Sequence, residues 1–225
     1  MTKMRHKTKR GDTLDLYLAS IPQEPDFRPV LPKERQAQIE ATRNDRTRAQ
    51  RYTAWDTLQK GLLHSRKLTA SEADLKKNET GKWTSARCGI SISHCNTAVA
   101  AAVSDGAVGV DLELAEDPRC REALLNRIAT DAERELFKDL PTEQRIAALW
   151  TRKEAAFKRG ENGAFSPIVE DAAAEDLRTI LIRLDRAYLI SVAAKKDAAL
   201  RVFEVQGESI TERMDFETLD PNARR

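Results

Sequence analysis

Apolar and polar residues alternate around Leu14, Leu16 and Tyr17-Leu18, the period of a short strand over residues 12–20. Pro22, Pro25, Pro29 and Pro32 then exclude regular structure up to residue 32, because proline fixes φ and lacks an amide donor. From Lys33 to Leu63 nothing breaks a helix. Ile39, Tyr52, Trp55, Leu58 and Leu62-Leu63 supply its spaced apolar positions, which predicts one or two helices rich in arginine. The stretch 73–87 is mostly polar, with a turn at Gly81. Two apolar runs follow, Gly89–Ser93 and Ala98–Val103, then Asp105-Gly106 and a third run, Val108–Leu114. Asp-Gly between apolar runs predicts a hairpin.

Helical periodicity returns from Arg119 to Leu140 and from Thr142 to Arg159, with Pro141 at the first turn of the second helix. Residues 178–184, 188–193 and 200–205 alternate as strands, and the polar residues 209–225 are expected to form a loose tail. Residues 95–105 are echoed by residues 185–195, each a short apolar strand after a polar turn. Two similar halves with a site at their junction would explain the echo, and so would chance likeness between two apolar strands.

Length and charge narrow the possibilities. A chain of 225 residues makes one large domain or two small ones and buries a core without staples. Its 38 Lys and Arg against 36 Asp and Glu argue against a surface built for bulk nucleic-acid binding. The charged start has no apolar stretch behind it, unlike a signal peptide, and no run of about 18 apolar residues predicts a membrane helix. Cys88, Cys95 and Cys120 are odd in number and lack CxxC spacing, as free thiols of a reducing compartment would. The expectation is a cytoplasmic protein.

Three segments could carry chemistry. In Val108-Gly-Val-Asp-Leu-Glu-Leu114, strand alternation puts Val108, Val110, Leu112 and Leu114 on one face and Gly109, Asp111 and Glu113 on the other. Those carboxylates would lie about 7 Å apart by strand rise, close enough to converge on a hard cation. Gly109 would let a ligand approach the backbone, though a solvated edge-strand face reads the same way. On the helix carrying Leu149-Trp-Thr-Arg-Lys-Glu-Ala-Ala-Phe-Lys158, Lys153 falls on the apolar stripe of Ile146, Leu149, Trp150 and Phe157. It must snorkel or find an anion. Glu154 and Lys158, four apart, suit either an ordinary surface pair or an acid for a metal or a proton beside an ammonium for a phosphate. Ser93 and His94 end an apolar strand at a turn, a place suited to a phosphate. As strand neighbours they point apart, which disfavours a hydrolytic pair. No GxxxxGK[ST] or GxGxxG motif supports a P-loop or dinucleotide fold.

In this order, Ser-x-Ser-His, Val-Gly-Val-Asp-Leu-Glu and Trp-x-x-Lys-Glu-Ala-x-x-Lys resemble the signature of the 4′-phosphopantetheinyl transferase superfamily, over roughly residues 30–205. Length and element order are similar to its two-half, surfactin-synthetase-activating type. The resemblance implies an α+β fold built as a pseudo-twofold pair of similar α+β halves. Residues 1–106 would be the coenzyme A-binding half, 107–208 the half with the metal and catalytic motifs, and 209–225 a polar tail. It implies transfer of 4′-phosphopantetheine from coenzyme A to a serine of an apo acyl or peptidyl carrier protein, releasing adenosine 3′,5′-bisphosphate, by a monomer. Asp111, Glu113 and Glu154 would hold Mg²⁺, and Glu154 would be the general base, directly or through water. Lys158 would neutralise pyrophosphate charge. Arg48, Arg51, Lys82, Ser93 and His94 would bind coenzyme A, His94 at its 3′-phosphate. The family's Gly-Lys-Pro is Gly81-Lys82-Trp83 here, and its Phe-Asn before Ser-His is Ile90-Ser91.

Two alternatives share these features: a non-catalytic relative that binds coenzyme A or a carrier, and a nucleic-acid module using Lys3–Arg10 and the Arg43–Arg51 helix. The second has few aromatics for base stacking, and the resemblance implies no nucleic-acid partner and no membrane. Residues 1–80 hold 17 basic and 11 acidic side chains, and residues 81–225 hold 21 and 25. The near-zero net charge therefore conceals a basic first part and an acidic second. Such a division suits one small polyanion beside one cation.

Overall fold

A computed structural model describes residues 12–23, 31–79, 81–116, 122–160, 171–174 and 176–219. The basic segment Lys3–Arg10, Pro25, Pro29, Arg119, Cys120 and residues 220–225 lie outside them. The chain runs β1 (Thr13–Ser20), α1 (Lys33–Glu40), α2 (Asp45–Arg66), β2 (Leu75–Lys77), β3 (Trp83–Ser85), β4 (Gly89–His94), β5 (Ala98–Ser104) and β6 (Gly109–Leu114). It continues through α3 (Glu122–Ile128), a 3₁₀ turn at Glu133–Glu135, α4 (Thr142–Gly160), β7 (Leu177–Arg183), β8 (Ala187–Ala193), β9 (Ala199–Gln206), β10 (Ser209–Arg213) and β11 (Phe216–Leu219). This is the expected α+β class. None of the described helices is long and apolar enough to cross a membrane.

Two sheets face each other, one ordered β10-β9-β1-β5-β4 and the other β11-β7-β8-β6. Alternation explains the layering, since each strand sends every second side chain to the same face. Leu14, Leu16 and Leu18 of β1 and Ala98, Ala100 and Ala102 of β5 meet Val110 and Leu112 of β6, Ile180 and Ile182 of β7 and Ile190 and Val192 of β8 between the sheets. The opposite face of β1 and β5, with Tyr17, Val99 and Ala101, is covered by Trp55, Leu58 and Leu62 of α2. Leu189 of β8 turns the other way, into a cluster with Ile146, Ala147 and Leu149 of α4. The layers are therefore helix, sheet, sheet, helix, each long helix shielding the outer face of one sheet.

Several expectations are corrected. Asp105-Gly106 does not close a hairpin. β5 pairs antiparallel with β4 across residues 95–97, and the Asp-Gly step carries the chain to the other sheet, where β6 pairs with β8. A full set of apolar residues on both faces of β5 made it a central strand, flanked by β4 and β1. The polar stretch 73–87 holds a small hairpin, β2 with β3, and the predicted turn at Gly81 sits at φ 88°. The helix expected to reach Leu140 is short, ending at Ile128 before the 3₁₀ turn, and Phe137 takes a left-handed φ of 57°. Residues 209–219 are not a loose tail: β10 extends the first sheet beside β9 and β11 extends the second beside β7. β9 lies parallel to β1, with Leu14 opposite Leu200 and Leu16 opposite Val202, so the first sheet takes strands from both sides of residue 106. The sheets differ in strand number and order, with β5 and β8, the two echoed strands, internal in each.

Candidate functional site

Strand β4 ends one sheet and β6 ends the other, and the site forms where these edges meet. The serines of β4 make the junction. Ser91 Oγ accepts the Val110 amide at 3.0 Å, and Ser93 Oγ donates to Asp111 Oδ1 at 2.6 Å. Alternation sends Ile90 and Ile92 the other way, toward α2. Asp111 and Glu113 do share the β6 face opposite Val110 and Leu112, as the sequence predicts, and that face is covered by α4.

The closeness of α4 comes from Gly109. A Cβ built there would stand 2.0 Å from the Ala155 carbonyl oxygen and 2.6 Å from the Arg159 nitrogen, so only glycine lets the helix backbone settle on β6. The expectation that Gly109 admits a ligand is thus corrected. The space admits the helix that carries Glu154 and Lys158.

Lys158 Nζ lies 2.6 Å from Asp111 Oδ1, 3.4 Å from Glu154 Oε2 and 3.2 Å from Ser93 Oγ. One ammonium thus bridges the strand carboxylate and the helix carboxylate. Burial alone would lower the Lys158 pKa, but Asp111 and Glu154 outweigh it and hold it above the ordinary value. Burial raises Glu154 above the usual carboxylate range and Asp111 adds to this, with Lys158 opposing. A raised pKa makes a carboxylate a better proton acceptor, since its basicity moves toward neutral pH.

Among the described residues, no three His, Cys, Asp or Glu side chains gather closely enough to hold a metal ion. Glu113, half-buried two positions along the strand, does not join Asp111 and Glu154 in one cluster. The donor chemistry nevertheless fits a hard cation. Asp111 is 5% exposed, and its Oδ2 is buried and accepts no hydrogen bond from the described residues. A buried carboxylate oxygen left without a donor is costly unless something positive meets it.

His94, at the exposed end of β4, is held below its ordinary pKa, chiefly by desolvation and then by Lys158, Arg51 and Arg35, with Asp111 opposing. Three cations from α4, α2 and α1 therefore bear on this imidazole. Arg51 also donates from Nη1 to Thr42 Oγ1 at 2.7 Å, and Arg35 lies over the Trp55 ring at 5.8 Å. Of the two arginines singled out in the sequence, the structure brings Arg51 to His94. Arg48 instead engages Asp45 and the Thr42 carbonyl. Arg35 was missed as a site residue. Its signal was present as one of five arginines in the helical stretch, but spacing does not reveal that α1 folds back toward α2.

A cavity of about 310 Å³ opens beside these groups. Leu58, Trp83, Ile90, Ile92 and Phe157 wall it, while Lys82 and Lys158 place cations at its lining. Trp83, standing where proline was expected, meets Trp55 edge-on with ring centroids 5.1 Å apart. Lys82 and Lys158, about 75 residues apart in sequence, thus line one hollow that is apolar on its sides and cationic at Lys158.

A cationic hollow against a carboxylate pair is chemically suited to a phosphorylated ligand with an apolar or aromatic portion. Comparison with protein families agrees with that class. Residues 107–203 match the model of the 4′-phosphopantetheinyl transferase superfamily. The match takes in Asp111, Glu113, Glu154 and Lys158 and supports phosphopantetheinyl transfer as the general activity. No curated protein matches the chain.

Proposed function

We propose that the protein transfers the 4′-phosphopantetheine group of coenzyme A to a serine of an apo acyl or peptidyl carrier protein, releasing adenosine 3′,5′-bisphosphate. The observation supporting this most directly is the convergence of Asp111, Glu154 and Ser93 on Lys158 beside the cavity, within the region of the family match. In the proposed reaction the carrier serine oxygen bonds to the phosphorus next to pantetheine. The bond from that phosphorus to the bridging oxygen breaks, and the electron pair leaves on adenosine bisphosphate. Glu154 accepts the serine proton, directly or through water. Lys158 neutralises charge on the pyrophosphate, where preorganised cations contribute most. Bound Mg²⁺ would supply further charge neutralisation there, with Asp111 and Glu154 as its oxygen ligands; Glu113, which the motif adds to them, stands apart from that pair. His94, Arg51 and Arg35 would hold the 3′-phosphate, and Lys82 a further phosphate oxygen. Ser93 orients Asp111 rather than acting as a nucleophile.

This reading assigns coenzyme A chiefly to the elements before residue 107 and the carboxylates to those after it, in a monomer working in the cytoplasm. The test is to incubate the protein with coenzyme A, Mg²⁺ and a panel of apo carriers, then weigh the carriers. A mass increase equal to phosphopantetheine on one or more carriers is expected. A panel left entirely unmodified would count against the activity, and calorimetric coenzyme A binding without turnover would favour the non-catalytic relative.

A further inference from the structure

Three consecutive residues ahead of Glu154 are buried polar anchors, each tied to a different place. Thr151 Oγ1 meets Ser191 Oγ of β8 at 2.8 Å. Arg152, 1% exposed, donates to the carbonyls of Ala172, Ala174 and Leu177 and to Thr179 Oγ1. Lys153, fully buried, pairs with Glu133 at 2.7 Å. Glu133 is itself 4% exposed and accepts the Thr130 and Ala172 amides, both at 2.9 Å. Ala172 is therefore gripped at both ends, its amide by Glu133 and its carbonyl by Arg152. Lys153 has found the anion that its place on the apolar stripe demanded, and that anion lies outside all three motifs.

Hydrophobic contact alone would let α4 roll or slide slightly on the sheet, since it has no preferred direction. Directional bonds from positions 151, 152 and 153 remove that freedom immediately before Glu154. Gly109 fixes the helix height above β6. A displacement of about 1 Å of a reacting group costs about a hundredfold in rate. We propose that Glu133 is a positioning residue which, through Lys153, sets the rotation of α4 and so holds Glu154 in register with Asp111. The inference rests on the transferase reading of the site.

Removing one partner alone would leave a buried unpaired charge and threaten folding, whereas removing both does not. The informative protein is therefore the double variant Glu133→Gln/Lys153→Met, with Lys153→Arg as the conservative control. Two readouts are needed: carrier modification kinetics, and Mn²⁺ affinity in the presence of coenzyme A by electron paramagnetic resonance. The double variant should melt within a few degrees of wild type. Its kcat should fall about tenfold to a hundredfold, its KM for coenzyme A should stay within about threefold, and Mn²⁺ binding should weaken about tenfold, on the scale of lost outer-sphere support. Lys153→Arg should recover most of the kcat. A folded double variant with wild-type kcat and Mn²⁺ affinity overturns the proposal, as does a lowered melting temperature with unchanged kinetics. If wild type modifies no carrier, the transferase reading fails and the Mn²⁺ comparison alone decides the positioning role. A wild type that also binds no Mn²⁺ overturns both.

Discussion

The two long helices shield opposite faces of the molecule by different means. Helix α2 buries Trp55, Leu58 and Leu62 against the first sheet through its middle, and keeps its directional bonds to β1 for its last turn, where Ser65 donates to Asp15 at 2.6 Å and His64 meets the Tyr17 hydroxyl at 2.9 Å. Helix α4 buries Ile146 and Leu149 near its start but then Thr151, Arg152 and Lys153, each with a directional partner. The close approaches differ as well. A Cβ at Gly61 of α2 would meet the Tyr17 ring at 2.7 Å, whereas one at Gly109 would meet the backbone of α4 at 2.0 Å. The apolar middle of α2 gives stability that tolerates adjustment, and the polar turn before Glu154 gives placement. Basic residues that hold a ligand by charge can sit on the first, but a carboxylate that must meet another to within an ångström belongs on the second.

The sharpest way to break this contrast is at the carboxylates. Asp111→Ala or Glu154→Ala should lower carrier modification by roughly a thousandfold, about 4 kcal/mol of transition-state stabilisation, while circular dichroism stays native. Substantial residual transfer would refute their assignment. Next in size, Leu62→Ala should cost about 3 kcal/mol of stability by opening a cavity under α2, measured by urea titration, with turnover per folded molecule unchanged. Gly109→Ala should cost about 2–3 kcal/mol and also reduce kcat, because backbone cannot yield as a ring can. Gly61→Ala, tested beside it, should cost less and spare kcat. Arg35→Ala and Arg51→Ala should each raise the KM for coenzyme A about tenfold, about 1.4 kcal/mol, and leave the KM for a 3′-dephosphorylated analogue nearly unchanged.

The smallest effect is one of pH. Burial would raise Glu133, but Lys153 and the Thr130 and Ala172 amides outweigh it and hold its pKa below the usual value. Its contribution to stability is then present above the unfolded carboxylate value of about 4.3 and is lost as pH falls through the lower folded value. The double variant Glu133→Gln/Lys153→Met, which leaves no unpaired buried charge, should flatten this acid limb in melting curves recorded below that pH. An unchanged limb would place the acid sensitivity elsewhere.

How far the sequence reveals this arrangement depends on the range of the cause. Local period placed β1, β4, β6, α4 and the strands 177–206 within a residue or two, because each has one or two apolar faces, whereas the helical stretch 33–63 did not show where α1 ends and α2 begins. Local period also put Asp111 and Glu113 on one strand face and showed that Lys153 needed a partner. The Asp105-Gly106 step misled because a turn signal does not say which strands it joins. The role of Gly109 was invisible because what fills its space comes from a helix more than 40 residues away. Glu133 was missed because a glutamate in a polar stretch looks like any solvated charge until the fold buries it. Arg35 and Arg51 were separable from Arg48 only once α1 and α2 had a geometry.

The parallel pairing of β9 with β1 has a consequence for assembly. The first strand of the described fold acquires one of its neighbours only after almost 200 residues, so its hydrogen-bonding edge must wait through nearly all of synthesis. Contacts so distant in sequence carry a high loop-closure cost and make folding slow. An open strand edge during that interval is also a site where another chain can pair. The chain is therefore fastened like a belt, its late segment passing back through the early sheet. Cutting it near residue 106 would leave the second sheet whole but strip β9 and β10 from the first, exposing the edge of β1.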